Sequence, residues 1–475
     1  MVYSTEQPMR RILKLITSVC CLFFTTCHNT FHKDAKRNAN FPIHRETTFF
    51  TEPVDALGYV DYPTALNRHL SQGVTPQNNA NVLIWEAVGP HPEQCTMPSE
   101  FYEWLGIQAP PEQGDYFQTF TKHLRLKELD PERIEKLDVQ FGESTRKPWK
   151  PNQHPEIVAW LSSQQKPLAL ITTACKRSRY FSPLVPEVKN GRKESLMSVK
   201  LPTVQLWRAI AAALLSRAML HVGQGKHDEA WQDIFTCFKL GRHIAQGCFL
   251  IQLLVGYAID AVTCTAAEAF LQLNLSAKKF QACMNDLKKL PPMPSTVEAT
   301  HLGERAMLLE TIARLNRIGM RTLAVLEGDT GRKKISAFDE ARMHEAKWEP
   351  ALKIANRWFD RLVSVLRLPD RTEREAKLEQ LSIELAKMRD AMKLSGKVRE
   401  LLVTIKEPGN DWRAGRILGR MLVSLLLPAF DRVQEASDRV TQQHRNLQIA
   451  FALAAYQSDQ KRYPETLDDL TPKYL

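Results

Sequence analysis

The chain has 475 residues, 44% of them hydrophobic and 25% charged, with only 20 Gly and 27 Pro. That balance excludes wholesale disorder and collagen-like or low-complexity sequence, and the lack of an apolar run of about 18 residues excludes a polytopic membrane protein. Lys and Arg outnumber Asp and Glu by 64 to 53, a formal +11 that points first to an anionic partner.

The amino terminus reads as an address rather than as fold. Arg10, Arg11 and Lys14 form a basic cluster, Leu15 to Phe24 is a short apolar run, and Thr25, Thr26 and Cys27 follow. A positive region, an apolar region and a small-residue exit, in that order, are the pattern of a secretory signal. The run is too short to span a bilayer as a stable helix. Residues 1–27 are therefore a signal peptide or amino-terminal anchor, and Cys27 is a candidate lipidation site. An extracytoplasmic or membrane-associated location follows, or a cytoplasmic one if the start is mis-called. Residues 28–58 are polar, basic and irregular, and read as a flexible linker. His28, His32 and His44 within them match no metal-ligand spacing.

Residues 59–200 form a loop-rich, Pro-interrupted helical region. Helical patches fall at about 78–88, 98–105, 114–123, 130–137 and 154–177. Gly89-Pro90 stops the first, because Gly frees the backbone and Pro cannot continue a helix. Residues 176–200 carry seven basic and two acidic residues. They read as a solvated loop, because no nucleic-acid module surrounds them.

A helical-hairpin domain follows over 201–294. Trp207, Ile210, Ala211, Leu214, Ala218 and Val222 recur at helical spacing, a turn GQGKHDEA intervenes, and Trp231, Ile234, Phe235 and Phe238 line a second helix. Residues 204–244 resemble one tetratricopeptide-like helical hairpin, with no second copy at that period. Residues 247–272 are the most apolar helix. Its run from Cys248 to Ile259 is too short to span a bilayer, so burial in the core is expected. Asp260 ends that run, Arg242 and His243 precede it, and Arg217 and His221 share a helix face four residues apart. These five residues are the candidate polar cluster, with paired structural groups the expected role and a catalytic centre the alternative. Cys237, Cys248, Cys264 and Cys283 sit in helical, apolar sequence, where a free Cys behaves as a small hydrophobe. No C-x-x-C occurs, so zinc-ribbon and thioredoxin readings fail.

Leu290 to Pro294 marks a boundary. Residues 295–420 form a long-helix region. It opens with one continuous helix over 295–325, whose titratable residues are His301, Glu304 and Glu310. A turn at Glu327–Gly331 follows, then a stripe of Leu378, Leu381, Leu385, Met388 and Met392 that suits an intramolecular helix pair. P-loop, nucleophile-elbow, zincin and dinucleotide fingerprints do not occur.

The last segment, 421–475, carries the most specific pattern. Leu425 to Pro428, Gln434-Glu435-Ala436, Asn446-Leu447, Ala452-Leu453, Tyr456 and Arg462-Tyr463-Pro464 follow one another. It resembles the stalk helix and turn of bacterial pseudopilins and related prepilin-like proteins, with Lys461 where their turn carries Gly. No prepilin cleavage signal precedes Met421, so processing and filament assembly are not implied. Tyr456, Tyr463 and Leu467 are expected to pack as a corner. Val60-Asp61-Tyr62, Val74 to Ala80, His154-Pro155 and Trp160-Leu161 further resemble an uncharacterised family of exported bacterial helical proteins, which supplies no catalytic residues to carry over.

The expected architecture is thus all-α, an irregular helical-hairpin array with a loop-rich amino-terminal region. The expected function is an interaction or envelope-structural role for an exported or membrane-tethered protein. The alternatives are a pseudopilin-related component of a secretion or surface apparatus, and an enzyme whose site is assembled from distant residues. Part of the +11 comes from the signal, the linker and the loop at 176–200. A protein partner or an envelope surface is therefore expected rather than nucleic acid. No metal and no cofactor is expected.

Overall fold

The computed structural model describes residues 41–189, 192–201, 203–318, 347–391, 411–427 and 430–475. The signal-like segment with Cys27, residues 28–40 with His28 and His32, the Glu327–Gly331 turn, Met392 and the Pro428-Ala429 step lie outside them. The fold is all-α. Its only sheet among the described residues is a two-residue antiparallel ladder, Val188–Lys189 against Arg192–Lys193.

In chain order the helices are α1 Tyr62–Leu70, α2 Ala80–Val88, α3 Ser99–Leu105, α4 Phe120–Leu126, α5 Pro131–Ser144, α6 Pro155–Ser163 and α7 Gln165–Ala174. Then come α8 Thr203–Gly223, α9 His227–Ala245, α10 Leu250–Leu271, α11 Ala277–Lys289 and α12 Arg305–Ile318. The last four are α13 Glu349–Leu366, α14 Arg371–Ala391, α15 Asp411–Leu426 and α16 Phe430–Gln460.

Local chemistry sets many of these ends. Asn79, Thr119, Asp130 and Ser276 each accept a backbone N–H at a helix start, the capping contact that an orphan first-turn amide needs. Gly89 ends α2 at φ 81°, as its sequence neighbourhood predicts. In α9, Asp228 and Glu229 lie in the first turn and Arg242 and His243 in the last, the polarity that the helix dipole favours.

The described residues divide into two compact units, and each unit is discontinuous in sequence. One takes the residues up to His69, Leu184–Val199 and Val297–Asp431; the other takes Leu70–Pro183, Lys200–Thr296 and Arg432–Leu475. The consecutive segments read from sequence do not coincide with this division, because 59–200 and 421–475 contribute to both units.

The second unit is built on α8, α9 and α10. Trp207, Ile210, Leu214 and Ala218 of α8 and Ile234, Cys237 and Phe238 of α9 are buried, so the hairpin periodicity does mark the core. The helix α10 is longer than its apolar run: with 22 residues it is long and apolar enough to cross a bilayer. About two thirds of its most apolar stretch is covered by the protein itself. Its backbone approaches α9 closely, since a Cβ on Gly256 would stand 2.5 Å from the Gly241 carbonyl oxygen and 2.7 Å from Ala245 Cβ. The carboxyl-terminal helix α16 closes this core: Phe451 lies 5.2 Å from the Trp231 ring, and Tyr257 donates to Ser437 at 2.9 Å.

The loop after α7 is less solvated than its charge suggests. Tyr180 and Phe181 are buried, and the Phe181 carbonyl accepts from Asn79 and Asn81. The expected corner at the carboxyl end is also different. Tyr456 packs on Tyr474 at 5.3 Å, while Tyr463 and Leu467 are exposed.

In the first unit, α13 packs on α12, α14 and α15, with Leu352, Ala355, Phe359 and Leu362 buried. Leu378 and Leu381 of the α14 stripe are buried, as an intramolecular pairing requires. The described part of the expected linker is packed rather than free. Phe41, Thr47 and Thr48 are buried, and Asn356 of α13 donates to the Glu46 and Thr47 carbonyls at 3.0 and 2.6 Å. Polar composition hides this, because part of what holds the segment is its backbone carbonyls, beside the rings of Phe41 and Phe50, which pack on Tyr59 and Tyr62. The helix expected over 295–325 is interrupted. A short α-turn, Thr296–Glu298, runs into a π-helical turn, Ala299–Glu304, before α12 begins. Such a turn adds a residue to the helix ladder and recurs at functional sites.

Candidate functional site

The five residues singled out in sequence fall into separate groups within the second unit. Arg217 grips Asp233 with both prongs of its fork, Nε to Oδ2 at 2.9 Å and a terminal nitrogen to Oδ1 at 2.6 Å. The His221 Nδ1 stands 3.5 Å from the same carboxylate, too far for a good hydrogen bond. Asp233 lies on α9, 16 residues after its partner, so α8 periodicity alone does not expose the pair.

The second group is deeper. Arg242 donates to Asp260 at 2.7 Å, to the Phe238 carbonyl at 3.1 Å and to the Pro291 carbonyl at 2.8 Å. Both side chains are nearly sealed from solvent. Burial pushes the Asp260 carboxyl up, and Arg242 and the neighbouring Cys264 thiol pull it back. His444 of α16 joins this group: burial and the charge of Arg242 push its imidazole down to about 4. Nothing in the sequence spacing points to His444, which lies about two hundred residues from Arg242.

Asp233 and Arg242 are nine positions apart on α9, about 13 Å along the axis at the α-helical rise. His243 belongs to neither pair. Its ring lies 6.2 Å from Tyr180, and burial, with the charge of Lys239, pushes it down to about 4. The five residues therefore do not converge on one reaction centre. The six described cysteines are free thiols. Burial raises Cys175, Cys237, Cys264 and Cys283 well above the usual thiol range.

Two groupings in the first unit stand out in sequence only as scattered titratable residues. Glu310 on α12 is buried and accepts the Leu196 amide at 2.7 Å. Burial pushes its carboxyl up to about 7, against the Leu196 hydrogen bond and Arg314. Around it, Tyr59 donates to Asn316 at 2.6 Å, Arg314 pairs with Glu194 at 2.9 Å and Arg317 pairs with Asp55 at 3.3 Å. These contacts join α12 to the residues before α1 and to the 184–199 segment.

The other grouping surrounds the π-helical turn. Arg305, only 1% exposed, donates to Asn356 at 3.1 Å and pairs with Asp360 at 2.8 Å. Its guanidinium lies 4.5 Å from the centre of the Phe49 ring, and Arg45 lies 5.3 Å from the same ring. The signal for this site is the two arginines around an aromatic ring, but they are 260 residues apart in sequence.

Among the described residues, no group of three or more His, Cys, Asp or Glu side chains could hold a metal ion. No family model, curated protein or solved structure matches the chain.

Proposed function

We propose that the chain is an exported or membrane-tethered helical protein that works by binding, in an interaction or envelope-structural role. The observation that carries this reading is the closure of the polar residues on each other. Arg217 is occupied by Asp233, and Arg242 by Asp260 and two backbone carbonyls. Charges engaged with each other in this way are not free to meet a substrate, and a role in holding the helices together is the reading they support. The basic and apolar order of residues 10–27 supplies the export part of the reading. Fractionation with mass spectrometry of the mature amino terminus tests it. A chain starting after residue 26, or carrying lipid on Cys27, or intact but in the membrane fraction, is the expected result. An intact Met1 or Met9 in the soluble cytoplasm overturns it.

A second reading is a pseudopilin-related component of a secretion or surface apparatus. What favours it is Lys461, which takes a left-handed conformation, φ 60°, just past the end of α16. That is the position where the prepilin-like turn carries glycine, the residue that adopts this conformation at no steric cost.

A further inference from the structure

The arginine cluster at the π-helical turn has more positive charge than its protein partners answer. Phe49 lies between two guanidiniums, Arg45 at 5.3 Å and Arg305 at 4.5 Å, and its ring meets the edge of His301 at 5.0 Å. Phe49 itself sits at φ 62°, a strained conformation for a bulky side chain. Arg305 reaches His301 Nδ1 at 3.4 Å. A third guanidinium, Arg367 at the carboxyl end of α13, repels both Arg305 and His301. The carboxylates that act on this group are Asp360, itself exposed, and Glu298.

Guanidiniums do not relieve such repulsion by losing protons. Here the relief inside the protein is incomplete in two further respects. The Arg305 Nε is buried with no hydrogen-bond partner. Burial, Arg305 and Arg367 together push the His301 imidazole down, so that it is neutral near pH 7. An arriving anion would relieve the repulsion and let His301 take up a proton. Arg45 and Arg367 are exposed and His301 half-buried, so the anion has access.

We propose that Arg45, His301 and Arg367, backed by Arg305, form a binding site for a phosphate group. Two exposed guanidiniums, Arg45 and Arg367, with the buried Arg305 behind them and a neutral His301 able to gain a proton, suit a phosphate group, because guanidinium forks match phosphate geometry. The phosphate belongs either to a free monoester or to an anionic lipid headgroup. The headgroup source rests on the tethered reading above, while the site itself does not.

The test uses the full chain with histidine labelled at ring carbon. His301 is assigned by the loss of its signal in His301→Asn, and its titration is followed by NMR. Inorganic phosphate, compared with chloride at equal ionic strength, is expected to raise the His301 midpoint by about 1, the size of shift that one nearby opposite charge produces. Vesicles of phosphatidylglycerol are compared with vesicles of phosphatidylcholine. A response to inorganic phosphate identifies a free-phosphate site, and a response to phosphatidylglycerol alone identifies a headgroup site. Replacing the exposed pair, Arg45→Gln with Arg367→Gln, should weaken either response by at least about tenfold. If neither probe moves His301 beyond its control, or if the double variant responds like the parent, the site does not bind phosphate. Fractionation into the soluble cytoplasm together with a phosphate response would overturn the tethered reading and leave the site standing.

Discussion

The α9–α10 seam and the surroundings of Glu310 both bury charge, and they handle it in opposite ways. Asp260 meets a guanidinium that is itself held by two carbonyls, so the buried charge is answered. Glu310 meets one backbone amide at 2.7 Å, while Arg314 and Arg317 are engaged with Glu194 and Asp55. Burial raises both carboxyls; at Asp260 the Arg242 guanidinium pulls back against that rise, while Glu310, whose hydrogen bond is to a backbone amide, is pushed up to about 7. The seam is a fixed joint. The Glu310 contact is a joint whose strength depends on pH.

The largest expected effect breaks the fixed joint. Asp260→Ala leaves the Arg242 guanidinium buried and uncompensated, a change that costs about 3–5 kcal/mol. Denaturant unfolding measures it. Removing both charges together, Arg242→Met with Asp260→Leu, should cost far less than the two single changes combined, because no buried charge is left without a partner. Equal costs for the double and the summed singles would show that the pair is not a closed unit.

Next in size is the pH dependence of the other joint. The folded Glu310 value, about 7, lies above the usual 4.5. The folded chain therefore holds this proton more tightly than the unfolded chain. The stability it contributes is complete below about 4.5 and is lost as pH rises to about 7, by on the order of 3 kcal/mol at most. His243 and His444 act with the opposite sign, because their folded values of about 4 lie below 6.5. Their contribution is complete above about 6.5 and is lost as pH falls to about 4. Glu310→Gln should remove the first slope and leave the two-histidine slope unopposed, so that stability rises more steeply than in the parent between about pH 4.5 and about 6.5. Unfolding measured across that range decides the matter, and an unchanged profile would break the comparison.

A third change tests what lets the fixed joint close. Gly256→Ala places a methyl 2.5 Å from the Gly241 carbonyl oxygen and 2.7 Å from Ala245 Cβ, against backbone that cannot give way cheaply. Overpacking of this kind costs about 1–3 kcal/mol. The expected loss is read as a lower unfolding midpoint with an unchanged denaturant slope.

These two joints also show where sequence reading succeeds and where it stops. Apolar spacing marks α8 and α9 because both have one face turned to a shared core, and Trp207 and Phe238 are buried there. Arg242, His243 and Asp260 stand out because charge is rare in that apolar stretch. Asp233 and His444 do not, since their partners come from other helices and no periodicity links them. The π-helical turn is invisible for a related reason. Nothing in Ala299–Glu304 separates one helix ladder from another, and only the packing around Arg305 shows which one it adopts. The site at Phe49 escapes for the same cause, as it depends on segments that only the fold brings together.

The smallest expected effect concerns a cost carried by the backbone rather than by charge. Lys461 closes α16 with its amide on the Gln457 carbonyl at 2.8 Å and its Nζ on the Ser458 carbonyl at 2.9 Å. Both contacts answer carbonyls that a helix end leaves open. Yet its φ of 60° costs an L-residue roughly 1–2 kcal/mol. Glycine escapes that cost and loses the Nζ contact and some unfolded-chain entropy in exchange, for a net gain of about 0.5–1 kcal/mol. Alanine loses the Nζ contact and keeps the backbone cost, for a net loss of a few tenths. Melting temperatures that fall in the order Lys461→Gly, parent, Lys461→Ala are therefore the signature of backbone strain answered by a side chain. If Lys461→Gly melts below the parent, the Nζ contact outweighs the strain, and this helix end belongs with the Asp260 joint, where a side-chain partner answers a local cost, rather than with Glu310.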